Sequence, residues 1–231
     1  MLNNKTNIRQ ILKNKSIRGI LLMPKCLPDI IYDRSKITPI VDSRSSHYFI
    51  PYFKDEDYFS SIESYTSFIS GCEKLVRTND RYNKYISYLK KEVKLDRCQV
   101  LKNVTDEDAD IEMHHGPVFT LFDYCSIMVE YFLAKKWKIT TMRIADQVLT
   151  EHQKNRIQVV MLSETIHQEV HARNIFINMN QAYGNLPAFI EKYGWVMTQE
   201  HKEKLNNYID RSLLYDSSDF GILELNKKLY E

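Results

Sequence analysis

The 231 residues, 43% of them hydrophobic, suffice for one large domain or two small ones around a sizeable core. Four cysteines (Cys26, Cys72, Cys98, Cys125) stand far apart with no C-x-x-C pair, which argues against a disulfide framework and fits a reducing compartment. No run of about 18 apolar residues offers a membrane span, the first residues lack the apolar core of a signal peptide, and a cytoplasmic protein is expected; the net charge of +2 leaves partners to be read from where the charges lie.

In chain order, residues 1–25 carry six basic side chains (Lys5, Arg9, Lys13, Lys15, Arg18, Lys25) and no acid. Such a stretch suits a phosphate backbone, or equally a solvated face. Residues 17–53 hold four of the six prolines between short apolar runs and read as extended segments; His47 there is expected as an ordinary surface or core histidine. From Asp55 the spacing turns helical, with Phe59, Ile62, Tyr65, Phe68, Ile69 and Cys72 on one stripe. After a break at Thr78-Asn79-Asp80, a second helix lines up Tyr82, Tyr85, Ile86 and Leu89, and a module boundary is placed near residue 94. CQVLKNV (98–104) reads as a strand, and the acidic run behind it as a solvated turn, unless Asp110 or Glu112 orients a nearby histidine. Two helices are predicted over 120–136, apolar nearly all round and so buried, and over 140–153, opened by Thr140. Beyond residue 178 come a Gly184-Asn185 turn, a short helix from Pro187, and an amphipathic helix from Thr198. The final segment packs either on the body or on a partner.

Two histidine clusters interrupt this pattern. In DADIEMHHGP (108–117), Ile111 and Met113 alternate with Glu112 and His114, a strand that Gly116-Pro117 ends. In RIQVVMLSETIHQEVHARN (156–174), the β-branched run Ile157–Leu162 reads as a buried strand, and Ser163 and Glu164 open a helix. On that helix His167 and His171, four apart, share a face. Imidazole is the commonest protein ligand for transition metals, so His114, His115, His167 and His171 together offer a candidate site for a divalent ion, and imidazoles favour zinc, nickel or manganese over magnesium. If one ion is shared, the ring nitrogens must lie within about 6 Å of one another.

EMHHGP followed by VVMLSETIHQEVH resembles the HNH endonucleases of the ββα-metal superfamily, in the branch whose helix carries H-x-x-x-H and which is common in phage and mobile-element genomes. The resemblance covers roughly residues 96–195. It implies that His114, His167 and His171 are the metal ligands and that His115 is the general base that activates water. It also places Gln158 where the family has the asparagine that braces the loop carrying that base; Cys98, standing alone, leaves no separate zinc knuckle. One requirement is local: neighbours on a regular strand point to opposite faces, so His114 and His115 serve one site only if the chain twists or bulges at Gly116.

The expected fold is therefore α+β: an N-terminal mixed module (1–94), an HNH-like ββα-metal domain with helical insertions (95–195) and a C-terminal helical tail (196–231). The expected activity is metal-dependent hydrolysis of phosphodiesters in nucleic acid, double-stranded DNA in the first instance. Lys135, Lys136, Lys138, Arg143, Arg156 and Arg173 are the residues expected to hold phosphate. Two other readings compete. One is a non-catalytic nucleic-acid-binding or assembly protein with a structural metal. The other is a di-iron carboxylate site built on the E-x-x-H pairs Glu112/His115 and Glu164/His167, which needs residues 112–115 to be helical.

Overall fold

The computed structural model of the chain describes residues 62–101, 103–214 and 222–230. The basic and proline-rich expectations for residues 1–53, His47 included, lie outside them. The aromatic stripes of the N-terminal half fold as α1 (Ile62–Arg77) and α2 (Asp80–Lys91). Between the two helices, the Asn79 side chain accepts a hydrogen bond from the Arg81 amide and caps α2. The faces carrying Ile69, Cys72, Val76, Tyr85 and Leu89 are buried. These faces pack on the two later helices α3 (Leu121–Ala134) and α4 (Thr141–Gln153). Residues 62–94, expected in a separate module, thus share one continuous core with the histidine-bearing elements.

That core is closed by two strands. β1 (Ile111–His115) and β2 (Val159–Ser163) pair antiparallel in uninterrupted register from Ile111 opposite Ser163 to His115 opposite Val159. All five residues of β2 are buried, as expected for a β-branched run covered on both sides. β1 alternates instead: Ile111, Met113 and His115 face the core, while Glu112 and His114 face outward. Because residues 112–115 are strand, the di-iron reading loses the helix that it requires.

α3 and α4 fill the connection between the strands. Thr120 and Asp123 form a reciprocal capping box at the start of α3, and the Thr140 side chain accepts from the Arg143 amide to cap α4. After β2 the chain turns directly into α5 (Glu164–His171). Ser163 stands at the cap position but makes no capping bond; its hydroxyl turns to the Cys98 sulfur.

The strand expected over 98–104 is not formed by its described residues. Cys98 and Val104 close a turn through a 2.9 Å backbone bond. Gln99 reaches the edge of β2 with both backbone and side chain: its amide donates to the Met161 carbonyl, and its Oε1 accepts from the Met161 amide. A side chain has taken the place of a second ladder bond, so pairing stops there.

The remaining helices brace this frame: α6 (Leu186–Tyr193), α7 (Gln199–Leu214) and α8 (Ile222–Tyr230). Gly184 lies so close to the chain entering β2 that an added Cβ would sit 2.6 Å from the Ile157 carbonyl oxygen. The final segment packs on the body. The Asn226 side chain bonds both the Gly184 amide and the Ala182 carbonyl, and Asn185 donates to the Leu229 carbonyl.

Candidate metal centre

Strand alternation and helical spacing together bring three imidazoles to one point. His114 projects from the outer face of β1, and α5, starting one residue after β2, carries His167 and His171 back over it. One ring nitrogen from each of the three lies within 4.8 Å of the other two. The ring centroids are 4.6–5.1 Å apart. Zinc–nitrogen bonds of about 2.0–2.1 Å put two ligands of one ion a little over 3 Å apart. The 3.0 Å between Nε2 of His167 and Nε2 of His171 matches that spacing, and His114 presents a ring nitrogen within 4.8 Å of both. The set therefore fits one divalent ion.

The surroundings favour an unprotonated His114 and an oriented His167. Burial first, then His167 and His171, pulls the His114 pKa down to about 4, so this ring is unprotonated at neutral pH. Glu112, on the same face of β1, hydrogen-bonds Nδ1 of His167 through Oε2 and leaves Nε2 for an ion, the usual carboxylate–histidine bracing of a metal ligand. Gly116 sits against His114: an added Cβ there would meet its Nε2 at 3.0 Å.

His115 lies on the other side of the strand. Its ring is buried, stacks on Tyr82 with centroids 5.9 Å apart, and places Nε2 at 2.9 Å from Nε2 of His152. His152 is fully buried and holds the Val148 carbonyl through Nδ1. Burial first, and then the proximity of His152 in the case of His115, lowers both pKa values, that of His152 to about 4. The twist or bulge that would turn His115 toward the three ligands is absent, because β1–β2 pairing runs unbroken through it. The imidazole expected as general base is thus buried against His152, although it also borders the cavity onto which the three ligands open. Gln158 departs from expectation in a related way. It is the backbone carbonyl of this residue that accepts from the Gly116 amide and braces the turn after His115, while the side-chain Oε1 is buried without a partner.

The three ligands open onto a cavity of about 740 Å³. Its walls hold four cations, Arg77, Arg173, Lys204 and Arg211, against one carboxylate, Glu73. Lys204 is paired with Asp123, and Arg77 stands 3.9 Å from Glu73. Among the described residues, neither Arg173 nor Arg211 has an acidic partner. Burial, outweighing nearby Arg77, raises the Glu73 pKa. The cavity suits an anion.

Of the residues expected to hold phosphate, Arg173 alone lines this cavity. Lys135, Lys136 and Lys138 are exposed around the turn after α3, where the Lys135 ammonium lies 5.3 Å from the Trp195 ring. Arg143 donates to the Lys138 carbonyl and lies over Phe132. Arg156 is held at 3.1 Å by the fully buried Glu151, which also binds Lys192 and Tyr193, so its role here is to anchor the chain entering β2. Sequence reasoning missed Arg77, Glu73, Lys204 and Arg211. They come from α1 and α7, outside the residues that carry the histidine motif, and only their meeting in space marks them.

No described helix is long and apolar enough to cross a membrane. No curated protein and no solved structure matches the chain significantly. Residues 33–229 match the bacteriophage G278-like virion proteins, in keeping with the phage origin expected from the histidine motif. That match runs through both strands, all three clustered histidines and every helix lining the cavity, and the chain belongs to the G278-like family of bacteriophage virion proteins.

Proposed function

We propose that this virion protein is a metal-dependent nuclease that hydrolyses phosphodiester bonds in nucleic acid, with a metal site of the HNH, ββα-metal kind. The observation that carries this reading is the three-histidine cluster opening onto a cation-lined cavity. A structural zinc site is normally closed by four protein ligands, whereas three ligands beside a cavity leave room for substrate and water. The antiparallel strands followed at once by the ligand helix support the same kinship. So does the Glu112 bond to His167.

His114, His167 and His171 would hold the ion, which when bound supplies Lewis acidity and lowers the pKa of a coordinated water. Arg173 receives the phosphate, with Arg77 and Lys204 relieving charge that builds up on the phosphoryl oxygens. Glu73 is the carboxylate that the cavity offers as proton acceptor, and its raised pKa suits that task. In that role Glu73 would take the proton of the attacking water as its oxygen bonds to phosphorus, the bond to the leaving oxygen would break, and that oxygen would take a proton from solvent.

The burial of His115 favours a second reading, in which the ion holds β1 to α5 in an assembly protein and no bond is cut. Metal-stripped protein reloaded with zinc, nickel, manganese or magnesium and assayed on single- and double-stranded substrates separates the two. Nuclease function requires cleavage that His167→Ala abolishes together with metal uptake. It also requires that Glu73→Gln keep the metal while slowing cleavage by roughly 10²–10⁴-fold. If the parent cuts nothing with any ion, the structural reading stands.

A further inference from the structure

One wall of the cavity is aromatic. Phe176 and Tyr208 line it, their rings stacked at 21° with centroids 5.1 Å apart, and the Arg211 guanidinium carbon lies 4.4 Å from the Phe176 centroid. Tyr208 is fixed by donating its hydroxyl to the Ile177 carbonyl at 3.0 Å. Arg173, three residues before Phe176, reaches the same space with no acidic partner among the described residues. One ladder of two rings and a guanidinium plane therefore stands in the same cavity as the three histidines.

We infer that this ladder stacks an unpaired nucleobase, so that the substrate of the site is single-stranded nucleic acid. The inference rests on the nuclease reading for the chemistry but on separate residues for the recognition. Aromatic rings and arginine planes bind bases whose faces are open, which means single strands, loops and ends. In a duplex those faces are covered by neighbouring base pairs, and a stacking wall gains nothing from them unless a base is first extruded. Size agrees. Cavities of roughly 300–1,000 Å³ enclose ligands of drug size, and 740 Å³ is room enough for one nucleotide with its base inside. Cations beside the rings then follow the backbone on either side of the stacked base.

The test uses the full chain with chelator present, so that binding is read without cleavage. Fluorescence anisotropy is measured with a labelled single-stranded oligonucleotide and with its blunt duplex. The single strand should bind at least about ten-fold more tightly; Phe176→Leu should weaken it by about 5–100-fold while leaving weak duplex binding as it was, and Arg211→Gln, which removes a cation as well as a stacking group, should weaken strand binding by a larger factor than duplex binding. Arg211 is exposed, so its variant should melt with the parent and keep the result free of folding effects. Equal affinity for strand and duplex, or an Arg211→Gln protein that binds the strand like the parent, overturns the inference. The nuclease reading fails separately: strand-selective binding that both variants weaken, with no cleavage under any ion, leaves the stacking site standing. Conversely, histidine-dependent cutting of duplex that ignores Phe176→Leu removes the stacking site and keeps the nuclease.

Discussion

Replacing His115 by alanine distinguishes a core group from a general base, and the structure sets the size of the effect. The ring is buried between Tyr82 and His152, and its Nε2 is the hydrogen-bond partner of Nε2 of His152. Removing a buried aromatic ring costs about 3–5 kcal/mol in hydrocarbon cores. The smaller imidazole should lie toward the low end of that range. Leaving His152 Nε2 unpaired in a buried site adds about 1–3 kcal/mol. A total near 4 kcal/mol in a chain of this length lowers the melting temperature by on the order of 10 °C. Calorimetric melting of the metal-free protein reads this directly. Below the melting range the variant should still bind one metal ion, because His115 is not among the clustered ligands. A variant that melts within about 1 °C of the parent yet loses roughly 10²–10⁴-fold in cleavage would show that the ring faces the reaction, and would refute the core assignment.

Three further outcomes follow from the same geometry. Glu112→Gln should lower metal affinity by about 10–100-fold in a competition titration without unfolding the protein, since Glu112 is exposed and acts through His167. Changing Lys135, Lys136 and Lys138 together to glutamine should weaken binding to all sequences alike and flatten the salt dependence, by up to about 0.9 in log–log slope for each phosphate that is no longer neutralised; an unchanged slope returns them to a solvated face. In chelator, stability should fall as the pH drops from about 6.5 toward 4. His152 is held unprotonated in the fold down to about 4 while the unfolded chain takes up its proton near 6.5, so the unfolded state binds more protons throughout that window. A flat melting temperature across that range would contradict the burial of this pair.

Much of this arrangement is legible from local pattern. The period of two in IEMHH and the spacing of four in His167-x-x-x-His171 each assign a face, and the structure keeps both assignments. The same alternation that puts Glu112 and His114 outside puts His115 inside, so the resemblance and the strand geometry disagree about His115 within a single pentapeptide. His152 could not be found that way. It lies mid-chain in an amphipathic helix, and only the packing of α4 beneath β1 turns it toward His115. The segment 98–104 fails for another reason: strand propensity describes a half-buried pleated surface, but the Gln99 side chain competes with the backbone for the Met161 amide.

The charges show why the motif alone was too narrow a guide. Basic residues near the histidines in sequence were expected to hold phosphate, yet Arg156 neutralises a carboxylate buried in the core, and Arg143 is engaged by a carbonyl and a ring. An arginine committed to a buried partner has no charge to offer a ligand, because breaking such a pair leaves an uncompensated charge in the core at a cost of about 3–5 kcal/mol. Arg77, Lys204 and Arg211, which face the histidines, are instead supplied by α1 and α7, the first ahead of β1 in the chain and the second well after α5. The strand–strand–helix unit therefore brings its ligands together by local geometry but has no charged cavity of its own. Helix α1 packs on α3 and α4, which the connection between the strands supplies. The inserted helices are in this sense part of the site: they carry Arg77 and Glu73 to the metal ligands by way of the core.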